Sequence, residues 1–210
     1  MSDAAVRGPT IGAKDLDEGE FLHLALHAMQ AGHHDEAISL LRRLVAAFPA
    51  NANAHYLLGA EHAQIGLYDR AFKDFGQALR AQPQLAAARF QLGLLHLTCG
   101  QMSDAEAVWS PLDELPADDP WRMFKSALVH LAHDELRECA QGLRAGIDCN
   151  RGNPALNQDM ERLLADIERR IGAGPVATGG AVAPLMNLPL SSGGMVLKAY
   201  DQNKDGGASD

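Results

Sequence analysis

The sequence predicts an all-α solenoid built from repeated helix pairs. Glycine recurs at a step of 34 residues, and alanine and proline recur at the same step. The repeated positions are Gly32, Gly66 and Gly100, then Ala37, Ala71 and Ala105, then Pro49 and Pro83, with Pro116 one residue short. A fixed period of this length, with small residues at set places, is typical of stacked helix–turn–helix units.

The segment 52–85, ANAHYLLGAEHAQIGLYDRAFKDFGQALRAQPQL, resembles the repeat of the tetratricopeptide repeat family. The positions that carry the resemblance are Leu58, Gly59, Ala71, Phe75, Ala78 and Pro83. It departs from the family pattern at His55, where Trp is preferred, and at His62, where Tyr is preferred. The resemblance implies a right-handed superhelix of helix pairs that holds other proteins.

The first two repeats are predicted at 18–51 and 52–85. The expected core stripe of the first helix is Phe21, Leu24, Ala25 and Ala28. Gly32 should end that helix, and Pro49 should end the next one. In the second repeat, small Gly59 lets two helices approach closely, and a larger side chain there would overpack the contact at a cost of ~1–3 kcal/mol.

A third repeat is predicted at 86–119 and a degenerate fourth at 120–153. Trp109 stands where the second repeat has Phe. Pro111 falls inside the expected second helix and should kink it or end it early. In the fourth copy Asp134 replaces the turn glycine.

A capping helix is predicted at 154–172, because Asn153 suits an N-cap and Pro154 suits a first turn. Its apolar stripe is backed by a charged face, as expected at the end of a solenoid. Residues 1–17 are expected to form a flexible leader. Residues 173–210, rich in Gly, Pro and Ser, are expected to form a disordered tail.

The chain has 210 residues and a formal net charge of −9, with a sequence pI of about 5.4. The acidic balance argues against nucleic acid binding, because no basic stripe is available to displace counterions. Apolar runs are far shorter than the ~18 residues of a membrane span. The first residues lack a basic and apolar signal region, so we expect a cytoplasmic protein.

A second apolar stripe on the first helices predicts a concave groove for a partner protein or peptide with an apolar segment. Its residues recur at the repeat period and share one helix face. They are Leu22, Leu26 and Met29, then Tyr56, Ala60 and Ala63, then Phe90, Leu94 and Leu97, and finally Phe124, Leu128 and Leu131. The alternative is that some of them only pack neighbouring first helices together.

Family members that clamp a peptide carboxylate place Lys, Arg and Asn beside such a groove. The adjacent positions of this chain carry His23, Leu57, Gln91 and Lys125. This departure argues against a carboxylate clamp.

Neither a metal site nor a disulfide is expected. His62, His96 and His130 fall 34 residues apart, so they recur with the repeat and should serve the architecture. The three cysteines form no CxxC pair and are expected to be reduced, mostly buried packing residues; they are Cys99, Cys139 and Cys149. The stretch 201–206 matches only the first half of a calcium loop.

The sequence carries no catalytic motif, neither a phosphate loop nor GxSxG nor HExxH, so we expect no enzyme and no cofactor. The favoured function is a protein-interaction scaffold or adaptor. Small acidic repeat proteins that act as type III secretion translocator chaperones in bacteria offer one alternative. The other is a structural subunit that dimerises through the apolar stripe. The segment Pro184–Pro189 of the tail is a possible ligand for the groove of its own chain.

Overall fold

The computed structural model describes residues 17–173, and within them there are nine α-helices, one 3-10 helix and no strand. The helices of the pairs are α1 (Glu18–Gln30), α2 (His34–Ala47), α3 (Ala52–Gln64), α4 (Tyr68–Ala81), α5 (Ala86–Thr98), α6 (Met102–Trp109), α7 (Pro120–Ala132) and α8 (Leu136–Cys149), and α9 (Pro154–Ala173) follows. The predicted leader, the tail with Pro184–Pro189 and the calcium-like stretch 201–206 lie outside the described residues. The expected all-α solenoid is confirmed.

The first helices of successive pairs keep the sequence period. They begin at Glu18, Ala52, Ala86, Pro120 and Pro154, each 34 residues after the one before. Helix α9 therefore starts where a fifth repeat would start. It continues for 20 residues, whereas the earlier first helices have 13. Glu168 occupies the place of the turn glycine, so the helix does not turn back and the solenoid ends.

The turn inside each pair needs a residue in the left-handed region. Gly32, Gly66 and Gly100 have φ of 72°, 76° and 75°. Asp134, which takes this place in the fourth pair, has φ 61°. An L-residue in this conformation is strained by ~1–2 kcal/mol. The Asp134 carboxylate accepts a hydrogen bond at 3.0 Å from Arg170 of α9, which ties the last turn to the final helix.

Glycines let the two helices of a pair come close. A Cβ built on Gly59 would lie 2.8 Å from Cδ1 of Phe75, and one built on Gly93 would overlap the indole of Trp109. The close approach predicted at Gly59 is therefore confirmed. Trp109 is fully buried, and its Nε1 donates to the Phe90 carbonyl oxygen at 3.0 Å.

The third pair has a short second helix. Helix α6 stops at Trp109, and the chain continues as a 3-10 helix, Ser110–Glu114, with Pro111 in its first turn. The early end predicted from this proline is confirmed, because proline cannot donate the backbone hydrogen bond that the helix would need.

Leu24 departs from its predicted place in the core, since 42% of its surface is exposed. Leu58 and Leu92, one and two repeats later, are 5% and 8% exposed. Helices α2 and α4 pack against α3 and α5 and cover those two leucines, whereas no described helix comes before α1. The exposed leucine therefore marks the open end of the described solenoid.

The cysteines also differ in part from expectation. Cys139 is buried, but Cys99 and Cys149 are exposed. Burial raises the pKa of the Cys139 thiol to about 12. The pKa of Cys99 is raised by partial burial and then by the nearby Asp69 carboxylate. A raised pKa keeps a thiol protonated and poorly nucleophilic at neutral pH.

Candidate partner-binding face

Helix α3 illustrates how a first helix divides its surface among its neighbours. Gly59 faces Phe75 of α4. Glu61 faces α2, where its Oε2 lies 2.7 Å from Nδ1 of His34. At 3.6 residues per turn, a third stripe points away from both helices. It follows the spacing i, i+4, i+7, i+11 and comprises Asn53, Leu57, Ala60 and Gln64.

The same four positions recur on every paired first helix, and we call all sixteen residues the concave stripe. On α1 they are Gly19, His23, Leu26 and Gln30; on α5 they are Ala87, Gln91, Leu94 and Thr98; on α7 they are Trp121, Lys125, Leu128 and Ala132. Because these helices begin at equal steps, equivalent positions follow one another along the inner side of the stack.

The concave stripe is nearly free of formal charge. Charged residues make up 21% of the whole chain, whose net charge is −9. In the stripe, Lys125 is the single Asp, Glu, Lys or Arg, and its Nζ donates to Asp113 at 2.9 Å. An uncharged strip on an acidic protein resembles the charge-depleted centre of a protein–protein interface.

The stripe is open at its beginning and closed in its middle. His23 and Gln30 of α1 are exposed, and Gln64 of α3 is exposed while Asn53 is half-buried. All four stripe residues of α5 are buried. Their exposures are 4% for Ala87, 2% for Gln91, 2% for Leu94 and 7% for Thr98. A partner that approaches the described surface therefore first meets the amide side chains of the first two repeats.

The twelve residues predicted to line the groove are all buried, and none is more than 8% exposed. They are Leu22, Leu26, Met29, Tyr56, Ala60, Ala63, Phe90, Leu94, Leu97, Phe124, Leu128 and Leu131. Four of them, one from each of the four helices, belong to the concave stripe. The burial agrees with the alternative that these residues pack helices together, and their contact with a partner stays a prediction.

The aromatic members contact the second helix of their own pair. The ring centroids of Tyr56 and Phe75 are 6.0 Å apart, and those of Phe90 and Trp109 are 6.1 Å apart. Burial raises the pKa of the Tyr56 hydroxyl above its usual value. These rings stabilise the pairs, so sequence periodicity alone did not separate core residues from groove residues.

The recurrent histidines link each first helix to the turn or helix that follows it. In all three, Nδ1 lies within hydrogen-bonding distance of a side-chain oxygen. The pairs are His62–Asp74 at 2.7 Å, His96–Gln101 at 2.8 Å and His130–Glu135 at 2.6 Å. Their predicted architectural role is confirmed. Among residues 17–173, no group of three or more His, Cys, Asp or Glu side chains could hold a metal ion.

The position where the family prefers Trp has a polar role that the sequence analysis missed. Nε2 of His55 lies 3.0 Å from the carbonyl oxygen of Pro49, and Nη2 of Arg89 donates to that of Pro83 at 2.7 Å. Both bonds span six residues and recur at the repeat period. They hold the loop between repeats, and this shared offset could have revealed them.

The helices of the described part of the chain include none long and apolar enough to cross a membrane. The second repeat, with the exposed Gln64, and the third, with its buried stripe, both fall in the region matched by known repeats. A family model described as tetratricopeptide repeat matches residues 22–84 and 61–110. The sequence has no significant match among curated proteins.

Several solved structures share the fold. A crystal structure of MamA is 19% identical, with a TM-score of 0.54, and covers 65% of this chain and 80% of that chain. MamA 41-end from Desulfovibrio magneticus RS-1 is 14% identical, with a TM-score of 0.53, and covers 91% of this chain and 97% of that chain. The MamA RS-1 ArsTM double mutant is 16% identical, with a TM-score of 0.53 and coverages of 90% and 97%. At such low identity the likeness is one of fold.

Proposed function

We propose that this chain, which belongs to the tetratricopeptide repeat family, is a non-enzymatic cytoplasmic scaffold that holds an extended, apolar segment of a partner protein along its concave stripe. The repeat fold supports a role in protein–protein interaction. The observation that carries the finer proposal is the near absence of charge from the stripe of an otherwise acidic protein.

The accessible part of the stripe suits an extended chain. Asn53 and Gln64 carry amides that can both donate and accept, so they can bond the backbone of a peptide. Ala60 lies between them on α3, and its small side chain leaves room for a partner's side chain close to the helix. A charged peptide would lose hydration here without gaining an opposite charge, so an uncharged segment is favoured.

Peptides selected from a random 12-residue display library against the full chain provide the probe. The variant Gln30→Glu with Gln64→Glu adds two charges to exposed stripe positions without changing side-chain size. We expect it to weaken selected peptides about tenfold, which corresponds to ~1.4 kcal/mol. The control, Gln84→Glu with Gln141→Glu, makes the same change at exposed positions outside the stripe and should alter binding less than about twofold.

Equal affinity of the stripe variant and the control would refute the concave stripe as the binding face. The two alternatives predict other results. A structural subunit that dimerises through this face would change mass with protein concentration in light scattering, and the stripe variant would abolish that change. A secretion chaperone would prefer segments of translocator proteins over the selected peptides.

A further inference from the structure

The concave stripe of α5 is closed along its whole length. Its four residues are buried, although α5 packs mainly against α4 and α6, and only marginally against α3 and α7. The equivalent positions of α1 include the exposed His23 and Gln30. The described helices alone give no clear reason for a closed stripe at the third repeat and an open one at the first.

The chemistry of the closed stripe indicates what kind of group covers it. Ala87 and Leu94 are apolar, and the Thr98 hydroxyl donates to the Leu94 carbonyl oxygen at 2.8 Å within its own helix. Gln91 brings a primary amide into the buried stripe at 2% exposure. Buried amides require hydrogen-bond partners. A cover with apolar side chains and backbone N–H and C=O groups meets both needs, and this describes an extended peptide.

From this combination we infer that the tail segment Ala183–Leu190, APLMNLPL, lies along the stripe of the third repeat as a ligand supplied by the same chain. The inference rests on the stripe of the proposed function and adds an occupant that a partner must displace. Charge favours this segment. Residues 172–197 contain no Asp, Glu, Lys or Arg, whereas residues 1–16 contain four such residues. Burying an unpaired charge on this uncharged face would be costly.

The connection is long enough. Helix α9 ends at Ala173, and Pro184 follows eleven residues later. A flexible linker of that length has a root-mean-square span of about 18 Å and a maximum of about 36 Å. From α9 back to α5 there are two first-helix steps of 8–10 Å each, or about 20 Å. Tethering gives the segment an effective concentration on the order of millimolar, enough for a weak ligand to occupy the site.

The test is photo-crosslinking in the full chain, with benzoylphenylalanine replacing Leu188 in one variant and Ile11 in another. We expect the probe at 188 to crosslink within its own chain to peptides from α5, and the probe at 11 not to reach α5. Mixing isotopically heavy and light chains separates links within a chain from links between chains. Links at 188 to the convex surface, links between copies, no links at all, or links from 11 to α5 would each overturn the inference.

Affinity provides a second readout. If the tail occupies nine-tenths of the stripes, Leu188→Asp should tighten a display-selected peptide about tenfold, because the competent fraction rises by that factor. The control Ser192→Asp adds the same charge two residues beyond the segment and should change affinity less than about twofold. Unchanged affinity in Leu188→Asp would contradict the inference. Failure of any peptide to bind would refute the proposed function instead, while the crosslink map would still decide the position of the tail.

Discussion

Substitution of Gly93 by alanine is expected to be the most damaging single-methyl change in the solenoid. The added Cβ would overlap the indole of Trp109, which is fully buried and donates to the Phe90 carbonyl oxygen. Phe90 also stacks on this indole, with ring centroids 6.1 Å apart, so the ring has little room to move.

Three contributions set the magnitude of this effect. Overpacking costs ~1–3 kcal/mol, and a buried donor left without its acceptor costs ~1–3 kcal/mol. Alanine is better than glycine in a helix by ~0.5–1 kcal/mol, which partly offsets the loss. We therefore expect a loss of about 3 kcal/mol in the free energy of unfolding, or roughly 6–12 °C in the thermal midpoint of a chain of this size.

Two other glycines serve as matched controls. At Gly59 the new Cβ meets the edge of Phe75 at 2.8 Å, so Gly59→Ala should destabilise less than Gly93→Ala. At Gly76 the nearest atom is Nη1 of Arg80 at 3.8 Å, so Gly76→Ala should stabilise by ~0.5–1 kcal/mol. Urea unfolding followed by circular dichroism and tryptophan fluorescence gives the order. If Gly93→Ala unfolded at the wild-type urea midpoint, the packing argument for the helix pairs would be refuted.

Three further predictions concern other parts of the solenoid. Tyr56→Ala with Phe90→Ala should lose several kcal/mol and much of its helical circular dichroism, because both rings pack inside pairs; normal helicity with lost peptide binding would restore them to the groove. Asp74→Ala should cost ~1–3 kcal/mol by leaving buried His62 without its 2.7 Å partner, whereas Lys73→Ala on the exposed side of α4 should cost under ~0.5 kcal/mol in the same urea titration. In native protein at pH 8, iodoacetamide should modify exposed Cys99 and Cys149 but not buried Cys139, whose pKa is about 12; mass spectrometry that found Cys139 labelled as fast as Cys149 would contradict this.

Local rules predicted the solenoid because they act within each repeat. The 34-residue step placed the first helices, the turn glycines and the close contact at Gly59, since each depends on residues near in sequence. Pro111 similarly predicted the early end of α6, because proline interrupts any helix whatever packs around it. The recurrence of His62, His96 and His130 correctly indicated an architectural role.

Tertiary packing decided which apolar residues are accessible. Tyr56 and Phe90 recur on one helix face, but only the packed structure places their rings against Phe75 and Trp109. Leu24 has the same helix position as buried Leu58, yet it is exposed because no described helix comes before α1. Periodicity specifies the direction of a side chain from its own helix axis. Whether another helix covers that direction depends on neighbours elsewhere in the stack, and a single repeat carries no information about them.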